Sequence, residues 1–127
     1  MQDRVTYEFA IIRYVPMVER EEFINVGAIL FSKRKKFLSL QFIIDEERLR
    51  AFSSDNDIDL LKEYLKAWED MCDGNPDGGA IGELDLPDRF RWLAAAKSTI
   101  LQCSKTHPGL CHDPQHELED LFDKYVR

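Results

Sequence analysis

The sequence predicts an α+β fold, an antiparallel sheet of three to five strands with helices packed on one face. Three observations lead there. Apolar and polar residues alternate in short runs across the first 44 residues, the period of a strand. From Ile58 to Cys72 apolar residues recur at three- and four-residue steps, the period of a helix. Near the end, Asp113-Pro114 opens a second helical stretch, with Asp as cap and Pro in the first turn.

The first strand is read over residues 5–15, where Val5, Tyr7, Phe9 and Ile11 alternate with Thr6, Glu8 and Ala10. Pro16 limits its pairing, because proline has no N–H to donate. Phe23 to Phe31 is apolar on both faces except for Asn25, as in a strand buried on both sides. After the basic turn Lys33-Arg34-Lys35-Lys36, residues 37–44 alternate again. Short links between these strands predict an antiparallel meander.

Helices are expected over 45–52, 56–72 and 115–126. Asp45 caps the first, and Ser54 or Asp55 the second, which Gly74 stops. Leu118, Leu121, Phe122 and Tyr125 of the last face a core. Residues 73–80 read as a loop, 98–103 as a fourth strand and Pro108-Gly109 as a turn.

A chain of 127 residues suggests a single domain, residues 1–127. Its net charge of −7 makes a nucleic-acid or anionic-membrane partner unlikely, since such partners select a basic footprint. No apolar run approaches a membrane span, and no targeting segment is visible. The cysteines, Cys72, Cys103 and Cys111, are odd in number and scattered, which reads as reduced thiols and a cytoplasmic location. Phosphate loops, dinucleotide fingerprints, nucleophile elbows and the H-E-x-x-H pattern are all missing, and no cofactor is indicated.

The stretch 88–107 stands out. It holds Arg89, Arg91, Lys97 and Lys105 against one acid, Asp88, in an otherwise acidic chain. Beside them lie Ser98, Gln102 and His107. Guanidinium, ammonium, hydroxyl and amide donors together suit an anion, above all a phosphate. The competing reading is a solvated face whose arginines pair with the abundant carboxylates. His107 is the natural proton carrier, with Glu22 a candidate base.

A second unusual element is 13–27. Arg13 breaks an apolar alternation, and Asn25 needs a hydrogen-bond partner in so apolar a strand. Strand periodicity puts Asn25 and Gly27 on one face. Either Asn25 ties the 16–22 loop to the sheet, or Arg13 and Asn25 form a wall facing residues 88–107. Cys103, His107, Cys111, His112 and His116 invite a zinc reading, but Pro108-Gly109 and Asp113-Pro114 interrupt any single helix that would align them, so no metal site is assigned. A metal-dependent nuclease built on Glu19, Glu22 and Asp113 is weaker still. The basic run 33–36 reads as a soluble turn that discourages edge pairing.

Two blocks carry a resemblance. The first is Tyr7-Glu8-Phe9-Ala10-Ile11-Ile12-Arg13-Tyr14-Val15-Pro16 followed by Val18-Glu19-Arg20-Glu21-Glu22-Phe23-Ile24-Asn25-Val26-Gly27. The second is Asp88-Arg89-Phe90-Arg91-Trp92-Leu93, then Lys97-Ser98, Gln102, Ser104, His107, Gly109 and Asp113-Pro114. Together they resemble the bacterial family catalogued as domain of unknown function 3037, over essentially the whole chain. The chain departs from that pattern at Ala94-Ala95-Ala96-Lys97-Ser98, where the family has Thr-Ala-Pro-Arg-Ser. Lys97 keeps the charge there and loses the fork. The family has no established activity. Its members are often encoded beside a HipA-like serine/threonine kinase, so the resemblance implies a kinase-like protein partner.

Two functions are therefore expected to compete. One is a non-enzymatic accessory or binding module acting with that partner. The other is a small enzyme or binding protein for a phosphate-bearing ligand, held by Arg13, Asn25, Arg89, Arg91, Lys97, Ser98, Gln102 and His107. The enzymatic form of the second requires those groups to meet.

Overall fold

A computed structural model describes residues 3–54 and 56–127. Three strands form the expected antiparallel meander: β1 (Val5–Tyr14), β2 (Ile24–Ser32) and β3 (Phe37–Phe42). Helices α1 (Glu46–Phe52) and α2 (Ile58–Asp73) follow. A 3-10 turn at Pro76–Gly78, a four-residue helix α3 (Gly79–Gly82) and helix α4 (Leu86–Ala94) come next. The chain then returns to the sheet as β4 (Leu101–Cys103) and β5 (His107–Cys111), and ends in α5 (Pro114–Tyr125). The sheet is antiparallel and five-stranded, in the order β3-β2-β1-β4, with β5 also on β1.

β4 and β5 lie end to end along one side of β1. β4 pairs with Ile12–Tyr14 and β5 with Val5–Phe9. Pro108-Gly109 is thus not a turn. Pro108 sits in a strand paired only to β1, where its missing N–H faces no ladder partner.

Side chains of β1 alternate between two cores. Ala10, Ile12 and Tyr14 join Leu49, Leu61, Leu65, Trp68, Phe90 and Leu93 on the face covered by α2 and α4. Val5, Tyr7 and Ile11 join Ala28, Leu30, Leu118 and Leu121 beneath α5. Helices therefore pack on both faces of the sheet, not on one as expected. The alternation in β1 left one face looking polar, but Ala10, Ile12 and Tyr14 are buried and need their own cover.

Local chemistry explains most boundaries. The Asp45 carboxylate accepts from the Arg48 N–H, and Asp113 accepts from the N–H groups of Gln115 and His116. α2 is capped by Asp57, which accepts from the Leu60 N–H, and not by Ser54; Asp55 lies outside the described residues. Gly74 ends α2 in the left-handed conformation, φ 69°. Residues 86–94 form α4, with Leu86, Phe90, Leu93 and Ala94 at helical spacing on its core face. Pro87 sits in its first turn, and Phe90 and Leu93 face the core. Tyr125, expected in the core, is 42 % exposed, while the next residue, Val126, is fully buried.

Candidate functional site

The site grows from two irregularities on opposite sides of β1. On the β2 side the register shifts between Ile12 and Arg13: Ile12 faces Gly27, while Arg13 faces Asn25. Val26 is the extra residue of this bulge, and an extra residue reverses the faces beyond it. Asn25 and Gly27 are therefore on opposite faces, contrary to simple periodicity. Gly27 stays on the α2 face, where a Cβ would come within 2.7 Å of the Gln41 carbonyl oxygen of β3. Asn25 turns to the α5 face beside Arg13.

On the other side the ladder is interrupted between β4 and β5. Ser104 fills the gap. Its N–H donates to the Ile11 carbonyl at 2.8 Å, and its hydroxyl accepts from the Ile11 N–H at 2.8 Å. That hydroxyl also donates to the Lys105 carbonyl, so its hydrogen-bonding capacity is largely used.

Between these irregularities the α5 face opens into a cleft of about 440 Å³. Its floor is Phe9, Ile11 and Arg13 of β1, and Asn25, Ser104, His107 and Tyr125 border it. The ring of Phe9 stacks on Tyr125 (centroids 6.1 Å apart, planes 14° apart) and tilts against His107 at 5.3 Å. Arg13 also lines a neighbouring cleft of about 270 Å³ with Val18, Glu21, Phe23, Lys97 and Gln102, among others.

Arg13 is the common wall. Its guanidinium carbon lies 4.0 Å from the centre of the Phe23 ring, a cation–π contact. Its Nε is buried and meets no acceptor, and among the described residues no carboxylate forms an ion pair with it. Asn25 donates through Nδ2 to the Tyr125 carbonyl at 3.1 Å, which satisfies the open end of α5 and leaves a buried Oδ1 without a donor. Asn25 thus ties α5 to the sheet, where a tie to the 16–22 loop was one expectation.

Of the residues expected to bind a ligand, Arg13, Asn25 and His107 meet in the larger cleft. Lys97, Ser98 and Gln102 border the smaller one with Arg13. Gln102 faces Arg13 across the strands, and its amide donates to the Thr99 carbonyl. Lys97 is committed elsewhere. Its ammonium donates to the carbonyls of Trp92, Leu93 and Ala95 at the end of α4, over the rings of Trp68 and Trp92. Burial there holds its pKa below the usual lysine value.

Arg89 and Arg91 do not join. Arg89 donates to the carbonyls of Gly82 and Leu84, packed against Gly74. Arg91 grips Glu8 with two bonds, 2.9 and 2.6 Å long. Glu8 is of opposite parity to Phe9 on β1, so this pair lies on the sheet face away from His107. Glu22 sits in a third hollow with Pro16 and Phe52, and the hydrogen bond from Arg20 lowers its pKa. His107, Glu22, Arg89 and Arg91 are dispersed across four places.

The thiols hold no unusual reactivity. Burial pushes Cys72 up to about 12 and Cys103 up to about 11. Among the described residues no three His, Cys, Asp or Glu side chains gather as a metal site. No described helix is long and apolar enough to cross a membrane.

A family model described as protein of unknown function (DUF3037) matches residues 9–126. The chain belongs to this family. No curated protein and no solved structure matches it. The stretch shared with DUF3037 contains every residue that lines the Arg13 clefts.

Four residues lining the larger cleft of this DUF3037 chain were not among the expected ligand residues: Phe9, Ile11, Ser104 and Tyr125. Phe9 and Ile11 read as ordinary core positions in an alternating strand. The available signal was Arg13, two and four residues beyond them on the same face: a cation in that row implies that the row is open at one end.

Proposed function

We propose that the chain is a non-enzymatic binding module whose ligand places an anionic, phosphate-type group on Arg13. The carrying observation is the Arg13 guanidinium. It is half-buried, its Nε meets no acceptor, and no described carboxylate pairs with it in a chain of net charge −7. A desolvated cation without a counterion is costly, and a bound oxyanion offsets that cost. The planar fork suits two oxygens of one group. A binding role is favoured over catalysis because His107 and Glu22 lie in different hollows and Arg91 is held by Glu8 on the far face.

Calorimetric titration with inorganic phosphate at low ionic strength tests the reading. Binding is expected to disappear in Arg13→Gln, to weaken in Arg13→Lys, and to persist in Arg91→Gln. Loss in Arg91→Gln with retention in Arg13→Gln would move the site to the 89–107 cluster and overturn it. Thermal melts of each variant separate loss of binding from loss of fold.

A further inference from the structure

Resting on that anion reading, we infer that the ligand carries a flat ring as well as the oxyanion, as in a nucleoside monophosphate. The larger cleft is chemically polar at one end and aromatic at the other. Arg13 supplies the cation. Four residues along the same face of β1, about 13 Å away at the usual strand rise, Phe9 lies between the rings of Tyr125 and His107. α5 covers Val5, Tyr7 and Ile11 on this face, and the cleft opens beside its last turn, at Tyr125.

The aromatic end is built for a ring. His107 is exposed and Tyr125 is 42 % exposed; the Tyr125 ring lies within 14° of parallel to Phe9, and His107 meets Phe9 at a tilt of 39°. An exposed ring already held parallel to its neighbour, as Tyr125 is to Phe9, loses little entropy when a flat group stacks on it. The middle of the cleft offers a ligand few free polar partners: the Ser104 hydroxyl is already engaged, and Asn25 Oδ1 is buried beneath the surface. A volume of about 440 Å³ accommodates a group of mononucleotide size.

The test compares adenosine monophosphate, ribose 5-phosphate and adenosine by calorimetry on the full chain. The monophosphate is expected to bind about tenfold more tightly than ribose 5-phosphate, a margin typical of one base stacked on an aromatic side chain. Tyr125→Ala is expected to remove that margin while leaving ribose 5-phosphate unchanged, because its carbonyl still accepts from Asn25. Arg13→Gln is expected to weaken both phosphates and leave adenosine unaffected. Equal binding of the two phosphates, both still dependent on Arg13, overturns the ring inference and leaves the anion reading standing. Absence of binding by either phosphate overturns both. Tight monophosphate binding insensitive to Tyr125→Ala overturns the placement of the ring.

Discussion

Tyr7 lies directly across Gly109, its register partner on β5, and a Cβ on Gly109 would overlap the phenol ring. The same ring reaches α5, where its hydroxyl donates to Glu117 at 2.6 Å. Gly109→Ala is therefore expected to cost roughly 1–3 kcal/mol, because the ring is held at its far end and cannot swing aside freely. A urea-denaturation midpoint measures this. The double variant with Tyr7→Ala should cost less than the sum of the two single changes, since each change relieves the other's defect.

The same bond predicts the alkaline behaviour of the fold. Burial, and then the bond to Glu117, raise the pKa of Tyr7 well above that of a free phenol. A group whose folded pKa is raised stabilises the fold below its unfolded value, near 10, and loses that contribution as pH rises through the folded value. The stability of the wild type should therefore fall above about pH 10. Tyr7→Phe should start lower and fall less steeply. An identical slope in the two proteins would assign the alkaline loss to the buried Tyr14 and the buried thiols instead.

How much of this was legible beforehand depends on range. The meander was readable because each of its strands declares itself by local alternation, and the caps at Asp45 and Asp113 because a cap is a local hydrogen bond. The second helical layer was not. That α5 would cross to the opposite face depends on Leu118 and Leu121 meeting Val5 and Tyr7, a contact spanning most of the chain. The Val26 bulge was hidden too, since nothing in Ile24-Asn25-Val26-Gly27 marks an extra residue until the facing strand is present. The site was half-readable for the same reason. Arg13 and Asn25 stood out as polar groups in apolar surroundings, and His107 as a proton carrier in the basic stretch 88–107, but a sequence shows a charge without its counterion. Arg91 looked like Arg13 until Glu8 appeared beside it.

Acid should act on the loop after α2. The Asp70 carboxylate accepts from Asn75 Nδ2 and from the Lys66 ammonium, each at 3.0 Å. The bond from Asn75, followed by that from Lys66, lowers its pKa. The contribution is complete above the unfolded value, about 4, and is lost as pH falls through the folded one. Asp70→Asn should therefore show a flatter acid limb in melting temperature against pH, with Asn75→Ala intermediate. A parallel shift of the whole curve would reduce Asp70 to a packing role.

Lys97 separates a structural cation from a binding one. It borders the smaller cleft with Arg13, yet its ammonium is spent on three carbonyls at the end of α4 and lies 4.6 Å from the centre of the Trp92 ring. Those carbonyls have no partners within the helix, so the ammonium stands in for the missing turn. Lys97→Met keeps the aliphatic stem and removes the donors. It should cost about 1.5–3 kcal/mol, the range for bonds to a charged group, and should change tryptophan emission, since the charge leaves both Trp68 and Trp92. Phosphate binding should stay within about twofold of wild type, because an ammonium pointed at the helix end contributes little field in the larger cleft. If phosphate affinity instead falls as far as in Arg13→Gln, the two clefts act as one site and Lys97 belongs to it.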